Sequence, residues 1–260
     1  MENTSLKLVT LNCWGGSAAD QLIPFFAEKG KEIDIFCLQE MFDCPQSVLS
    51  ARHPDRKELR GDIFKRVCDA LPEHEGSLAY FDDDRHRMAP ALFVRRGVEV
   101  KTIEDFVVYR PERPVETGNA VISSRKLQYI TFAFRGHDFT VANFHGLWVN
   151  GPKTDTPERL EHAREVRAFL DSLQGKKILC GDFNLLPETE SLAIMRGDMR
   201  DLVKESGVGS TRTPLYRHYQ NPAEPNFADY ILASRDVEVH DFSVLPDVVS
   251  DHAPLQVTFS

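Results

Sequence analysis

No stretch of this sequence stays apolar for the roughly 18 residues a helix needs to cross a bilayer, and its first residues show no basic segment followed by a long apolar one. The reading is a protein without a leader or stable membrane insertion, expected to be cytoplasmic and monomeric. No Gly/Ser-rich or Pro-rich linker divides the 260 residues, so one domain over 1–260 is expected. Positive charge is in deficit: the formal net charge is −9. Tight non-specific binding to nucleic acid would then need a local basic patch or a bound cation. Cysteine is sparse, odd in number and scattered (Cys13, Cys37, Cys44, Cys68, Cys180), with no CxxC, which argues against a thiolate zinc site or redox pair. The five read as structural thiols in a reducing compartment. Also missing are the GxSxG elbow, the GxxxxGK[ST] loop, GxGxxG and HExxH.

What is present is a globular composition, 42% apolar and 27% charged, able to bury a substantial core. Short, nearly continuous apolar runs at 6–11, 33–38, 91–94, 139–143, 177–180 and 230–233 suit strands covered on both faces. Residues 128–134, QYITFAF, alternate, and read as a hairpin partner of DFTVANF across a turn at Arg135-Gly136-His137. Between the runs lie helical patterns. Leu160, Ala163, Val166, Leu170 and Leu173 repeat at three and four, with Thr156 as N-cap, Pro157 at N1 and Gly175 past the end. Further helices are expected near 18–29 and 62–71. Strands alternating with helices, plus hairpins, indicate a layered α/β architecture with mixed sheets. The run DDDRHR (82–87) reads as a solvated loop or a substrate rim, and 210–227 as a long functional loop.

Most of the strand-like runs end in a polar residue. Asn12 closes LVTLN, Glu40 follows IFCLQ, His145 ends TVANFH, and Asp182 and Asn184 end ILCGDFN. Asp229 opens DYILA, and Asp251 and His252 precede the last apolar stretch. Any one has a bland explanation in a turn or cap. Together they indicate a site, because strand ends converging at a sheet edge are where sites are built. The carboxylates Glu40, Asp182 and Asp251 with the Asn12 amide oxygen are hard donors, suited to Mg²⁺, Mn²⁺ or Ca²⁺ rather than zinc. His145 and His252 can donate to phosphoryl oxygens or take a proton from water near neutral pH, and Asp229 could orient a histidine. The set describes metal-assisted attack of water on a phosphoester.

LNCWG, LQE, FHGLW, GDFN, ADYIL and SDHAP, in this order across residues 11–254, resemble the endonuclease/exonuclease/phosphatase superfamily. That superfamily includes deoxyribonucleases, abasic-site endonucleases, neutral sphingomyelinases, inositol polyphosphate phosphatases and deadenylases. The resemblance implies a four-layer α/β sandwich, two mixed β-sheets packed face to face with helices outside, and a Mg²⁺ site (Mn²⁺ as alternative) at one end. It implies Glu40 as principal metal ligand with Asn12 and Asp251 beside it, and an Asp229–His252 pair. It also implies that Asp182 and Asn184 position water and phosphate, and that His145 hydrogen-bonds the phosphate. Which of Asp182 and His252 takes the proton stays open. The expected partner is a small or lipid-derived phosphoester. A DNA or RNA strand is the second reading, and a silent binding module the third. The loop at 210–227, with Thr211, Arg212 and Tyr216, is the expected substrate wall.

Overall fold

The computed structural model describes residues 4–82, 84, 86–109, 115–117, 120–122, 124–149, 151–221 and 226–260. The strands, in chain order, are β1 (Leu6–Asn12), β2 (Ile35–Met41), β3 (His74–Leu78), β4 (Ala89–Arg95), β5 (Glu99–Tyr109), β6 (Val115–Thr117) and β7 (Ala120–Ile122). They continue with β8 (Arg125–Phe134), β9 (His137–His145), β10 (Lys176–Asp182), β11 (Arg200–Asp201), β12 (Asp229–Ala233), β13 (Val239–Val244) and β14 (Leu255–Phe259). The helices are α1 (Ala19–Lys29), α2 (Gln46–Arg52), α3 (Ile63–Ala70), α4 (Pro157–Ser172), α5 (Glu190–Arg196) and α6 (Leu202–Ser206).

Two six-stranded sheets form, in the orders β13-β14-β1-β2-β4-β3 and β11-β12-β10-β9-β8-β5, with β6 and β7 as a separate ribbon. Each large sheet contains one parallel pair, β1 with β2 and β9 with β10, flanked by antiparallel neighbours. The alternation of strand side chains makes the layers. Leu6, Leu8, Ile35 and Cys37 join Val141, Phe144 and Cys180 of the second sheet, with Ala163, Val166 and Leu170 of α4, in one apolar cluster. The intervening Val9, Leu11, Phe36 and Leu38 pack with Leu22, Phe25 and Phe26 of α1 and Ile63 and Val67 of α3 in another. Both faces of β1 and β2 are therefore buried, as their continuous apolar runs suggest. At about 1.5–3 kcal/mol per large side chain removed from water, these clusters hold the layers together. The four-layer α/β sandwich read from the sequence is the fold of the chain.

Local details differ from expectation. The β8–β9 turn has two residues, not three: Phe134 pairs with His137, and Arg135 (φ 50°) with Gly136 (φ 79°) makes the connection. Two positive φ values in a row are the geometry that matches strand twist in tight hairpins. Ala18 and Asp62 cap α1 and α3 rather than lying inside them. On α4, Thr156 caps as expected, its side chain accepting from the Arg159 N–H. Strand β14 is interior but second from the edge, and Asp251 and His252 precede it.

Candidate active site

The parallel pair of each sheet ends at the same end of the sandwich. From the first come Asn12 and Glu40, and from the second His145 and Asp182, which are register partners. Antiparallel neighbours begin where these end. Asp229 opens β12 opposite Asp182, and β14 starts at Leu255 opposite Thr10, with His252 and Asp251 just before it. Every polar strand-end residue singled out above is thus delivered to one place.

Backbone strain is concentrated here. Trp14 (φ 51°), Glu40 (φ 59°) and Asn184 (φ 54°) are three of the four positive-φ non-glycine residues among those described. Glu40 sits in an irregularity of the β2–β4 ladder, between the pairs Leu38–Ala91 and Met41–Ala89. A bulge of this kind re-aims a side chain that would otherwise follow the strand alternation. Gly181 and Gly146 permit the close approach of β9 and β10: a Cβ on Gly181 would lie 1.9 Å from Phe144 O, and one on Gly146 2.1 Å from Phe183 O.

His252 is buried, and its Nδ1 lies 2.8 and 2.9 Å from the two Asp229 carboxylate oxygens. Asp229 is held in turn by the Thr211 hydroxyl, which donates to Oδ2 at 3.1 Å. A ring nitrogen fixed in this way leaves the other to face outward in a defined state. His252 Nε2 lies 3.6 Å from Asp182 Oδ2 and 3.9 Å from Asp251 Oδ1, beyond direct hydrogen bonding. Burial and Arg212 push the His252 pKa down, but Asp229, Asp182 and Asp251 together carry it above the ordinary value. Burial disfavours ionised Asp182, yet His252, His145, Lys153 and Arg212 outweigh it and hold the carboxyl well below the usual range. Asp182 Oδ1 accepts from Asn184 N–H at 2.9 Å, and Oδ2 accepts from Asn12 Nδ2 at 3.0 Å.

His145 Nε2 is 3.8 Å from both Glu40 Oε1 and Asp182 Oδ2. Burial, reinforced by Arg125, lowers its pKa to about 3, so it stands there as a neutral imidazole and makes no ion pair. Burial raises the Glu40 pKa, and the Asp251 and Asp182 charges add to this while an Asn12 hydrogen bond and His252 oppose it. Asp251 Oδ2 accepts from Arg212 Nη1 at 3.1 Å.

The donor set fits a hard cation. Glu40 and Asp251 offer carboxylate oxygens that repel one another, a crowding that a divalent ion relieves. The Asn12 amide oxygen accepts from Trp14 N–H at 2.9 Å and keeps one lone pair. Asp182, Asp229 and His252 also bring ligand-type atoms within 4.8 Å of one another, a spacing one ion could bridge.

Three cations border this cluster. Arg212, expected on the substrate wall, is buried, with its guanidinium 4.5 Å from the Tyr216 ring centre and its backbone bridged to His252. Lys153 and Arg125 escaped sequence reading, because a lysine in Gly-Pro-Lys-Thr looks like a solvated loop residue and an arginine at a strand start looks like a flank. Lys153, half-buried, is brought down to about 8 by burial and Arg212 against the pull of Asp182, Asp229 and Asp251. Burial and Arg87 bring Arg125 to about 10, with Glu40 and Asp182 opposing. Buried Arg159, on the first turn of α4, fixes the Lys153 loop by donating to the carbonyls of Leu147, Pro152 and Thr154. In the run 82–87, residues 83 and 85 lie outside the described residues. Asp84 pairs with Arg52, and Arg87 lies over Phe81.

The sequence matches the Endonuclease/Exonuclease/phosphatase family over residues 9–252. The chain belongs to that family, whose members hydrolyse phosphoester bonds. No curated protein matches it significantly. Among solved structures it is similar to a Bacteroides thetaiotaomicron mannosyl-6-phosphatase, with 20% identity, TM-score 0.73, and coverage of 98% of this chain and 100% of that one. An endonuclease/exonuclease/phosphatase family protein of the same organism gives 22%, 0.71, 98% and 95%. D. rerio TDP2 complexed with single-strand DNA product gives 15%, 0.66, 99% and 100%. Among the described residues no helix is long and apolar enough to cross a membrane.

Proposed function

We propose that this protein is a Mg²⁺-dependent hydrolase in which water attacks the phosphorus of a small or lipid-derived phosphoester. The observation that carries the reading is the Asp229–His252 pair, its Nε2 facing Asp182 and Asp251 across 3.6 and 3.9 Å at the strand ends that also present Glu40. Glu40, Asp251 and Asn12 would hold the ion, which when bound supplies Lewis-acid stabilisation of a phosphoryl oxygen. Mn²⁺ would satisfy the same donors.

Asp229 holds the His252 ring through Nδ1 and leaves Nε2 for the reacting phosphate. Asp182 and Asn184 position the attacking water, whose proton passes to the Asp182–His252 pair as the P–O bond forms and the ester oxygen leaves. Neutral His145 donates a hydrogen bond to a phosphoryl oxygen. Arg125, Lys153 and Arg212 border the site with positive charge that complements the anionic group, in a protein that is otherwise acidic. Similarity to a structure named a mannosyl-6-phosphatase supports a small substrate. The second reading, a nuclease, is supported by the structure of TDP2 with single-strand DNA product.

The test is hydrolysis of bis(p-nitrophenyl) phosphate beside labelled single-stranded, duplex and abasic oligonucleotides, with Mg²⁺ or EDTA. Turnover is expected to need Mg²⁺ and to fall at least about 100-fold in kcat for His252→Ala, since positioned acid–base groups contribute roughly 10² to 10⁴. Activity that survives EDTA, or a His252→Ala protein keeping more than about a tenth of the rate, would remove the assignment. Metal-dependent cleavage of oligonucleotides alone would put the nuclease reading first.

A further inference from the structure

A second cationic feature lies outside the catalytic cluster. Residues 52–66, RHPDRKELRGDIFKR, hold six Lys and Arg against three acidic residues in a chain of net charge −9. Two of these cations are already matched: Arg52 pairs with Asp84 and Arg56 with Glu58. Lys57, Arg60 and Arg66 have no carboxylate within 4.0 Å among the described residues, and all three line one cleft of about 660 Å³. Asp62 is the sole acidic residue on that lining, which also includes Gln46 and Ser50.

The cleft is a built feature. Gln46 Nε2 donates to Leu59 O at 3.1 Å, its Oε1 accepts from Gly61 N–H at 2.9 Å, and Cys44 N–H donates to Gly61 O at 2.8 Å. These bonds clamp the 59–61 turn onto the start of α2. Arg60 donates to the carbonyls of Lys57 and Leu59, which sets the turn that carries Lys57.

The cleft also adjoins the catalytic end. The 3-10 turn Trp14–Gly16 follows Asn12 after the single residue Cys13, and Gly15 O accepts from Arg60 N–H at 2.9 Å. A Cβ on Gly15 would lie 2.4 Å from Leu59 Cδ2, and one on Gly16 3.1 Å from Arg60 Cβ, so the Gly-Gly pair exists to let this segment pack against the strand ends. Only Cys13 and Trp14 separate Gly15 from Asn12, at most about 10 Å of chain.

We propose that this cleft is an anion site that binds a second phosphate of the substrate, so that the protein acts on a small molecule bearing more than one phosphate. The assignment rests on the hydrolase reading above. Two guanidinium groups and an ammonium without carboxylate partners match the oxygens of a phosphate. The patch is local and the rest of the surface acidic, which disfavours a long polyanion and favours a compact one.

The test uses metal-free protein carrying His252→Ala, so that binding is read without hydrolysis, and titrates inorganic diphosphate while amide shifts are followed by NMR. Shifts are expected over residues 57–66, and the Lys57→Ala/Arg66→Ala variant is expected to weaken binding about tenfold or more. Turnover of bis(p-nitrophenyl) phosphate, which carries a single phosphate, should stay within about twofold of wild type when the double substitution is placed in the active protein. Shifts confined to the surroundings of Glu40 and His252, or unchanged affinity in the variant, would overturn the proposal. So would a single-stranded oligonucleotide that binds the cleft more than about tenfold tighter than diphosphate, which would assign it to nucleic acid. Failure to hydrolyse any diester would count against the hydrolase reading while leaving the binding result intact.

Discussion

A glutamate at φ +59° in an irregular strand, enclosed beside Asp251 and Asp182, is in an unfavourable state as long as it is ionised. Its raised pKa means that the folded chain disfavours the charged form. The resulting destabilisation is full above the folded pKa and vanishes as pH falls below the ordinary 4.5. Glu40→Gln is therefore expected to stabilise the metal-free protein at pH 7, because it removes a charge that the fold disfavours. The sign should reverse in Mg²⁺, where wild type gains about 2.7 kcal/mol at a hundredfold excess over Kd and the variant does not. Thermal denaturation in EDTA and in Mg²⁺ reads both, and an apo variant less stable than wild type would contradict the account. At this scale, Asn12, Glu40, Asp182, Asp229, Asp251 and His252 were legible because a polar residue at the end of an apolar run interrupts a strong pattern. Lys153 and Arg125 were not, because their burial comes from tertiary packing of loops and flanks.

Among the elements, the two glycines of β8–β9 and β10 show how the same substitution acts through different physics. Gly136 has φ 79° with nothing within 4 Å of where a Cβ would lie, so Gly136→Ala carries only backbone strain, about 1 kcal/mol. Gly181 has φ 138° and a Cβ would strike Phe144 O, so Gly181→Ala adds a collision that β9 and β10 must separate to relieve. A loss above about 3 kcal/mol is expected there, with displacement of Asp182 and a fall in kcat, against near-normal kcat for Gly136→Ala. Urea midpoints and turnover measured together check the contrast, and equal losses at the two positions would refute it. Strand β5 shows what sequence could not reveal at this scale. Most of its residues are exposed on a sheet edge, so neither a buried run nor a strict alternation marks it. The α2 and α5 helices are seven residues each, too short for a helical period to declare itself.

For the molecule as a whole, acid sensitivity follows from histidines buried as neutral rings. His162 packs 4.9 Å from the Phe144 ring centre and 5.7 Å from that of Tyr109, and burial, with Arg125 and His145, lowers its pKa to about 3. Below 6.5 the unfolded chain takes a proton that the folded chain refuses until about 3, so stability falls as pH drops through that window. His162 contributes about 1.4 kcal/mol per pH unit there. His162→Phe is expected to flatten the dependence of unfolding free energy on pH between 6 and 4 by that amount, measured by urea titration at each pH. An unchanged slope would show that His162 is protonated in the fold. The layered architecture was legible because runs buried on both faces can only be inner strands. The order of strands was not, since hydropathy does not say which neighbour a strand chooses.

Leu6 pairs with Phe259 at the end of the sandwich away from the catalytic groups, and the Arg135–Gly136 hairpin turn lies at that same distal end. Strands β14 and β1 are thus antiparallel neighbours whose distal ends lie side by side, as the two arms of a hairpin do. A linker engineered between Phe259 and Leu6, with the chain opened at Arg135–Gly136, would reorder the strands in sequence while leaving each beside its present neighbours. The chemistry at the far end depends on which strands adjoin, and not on the order in which they are strung.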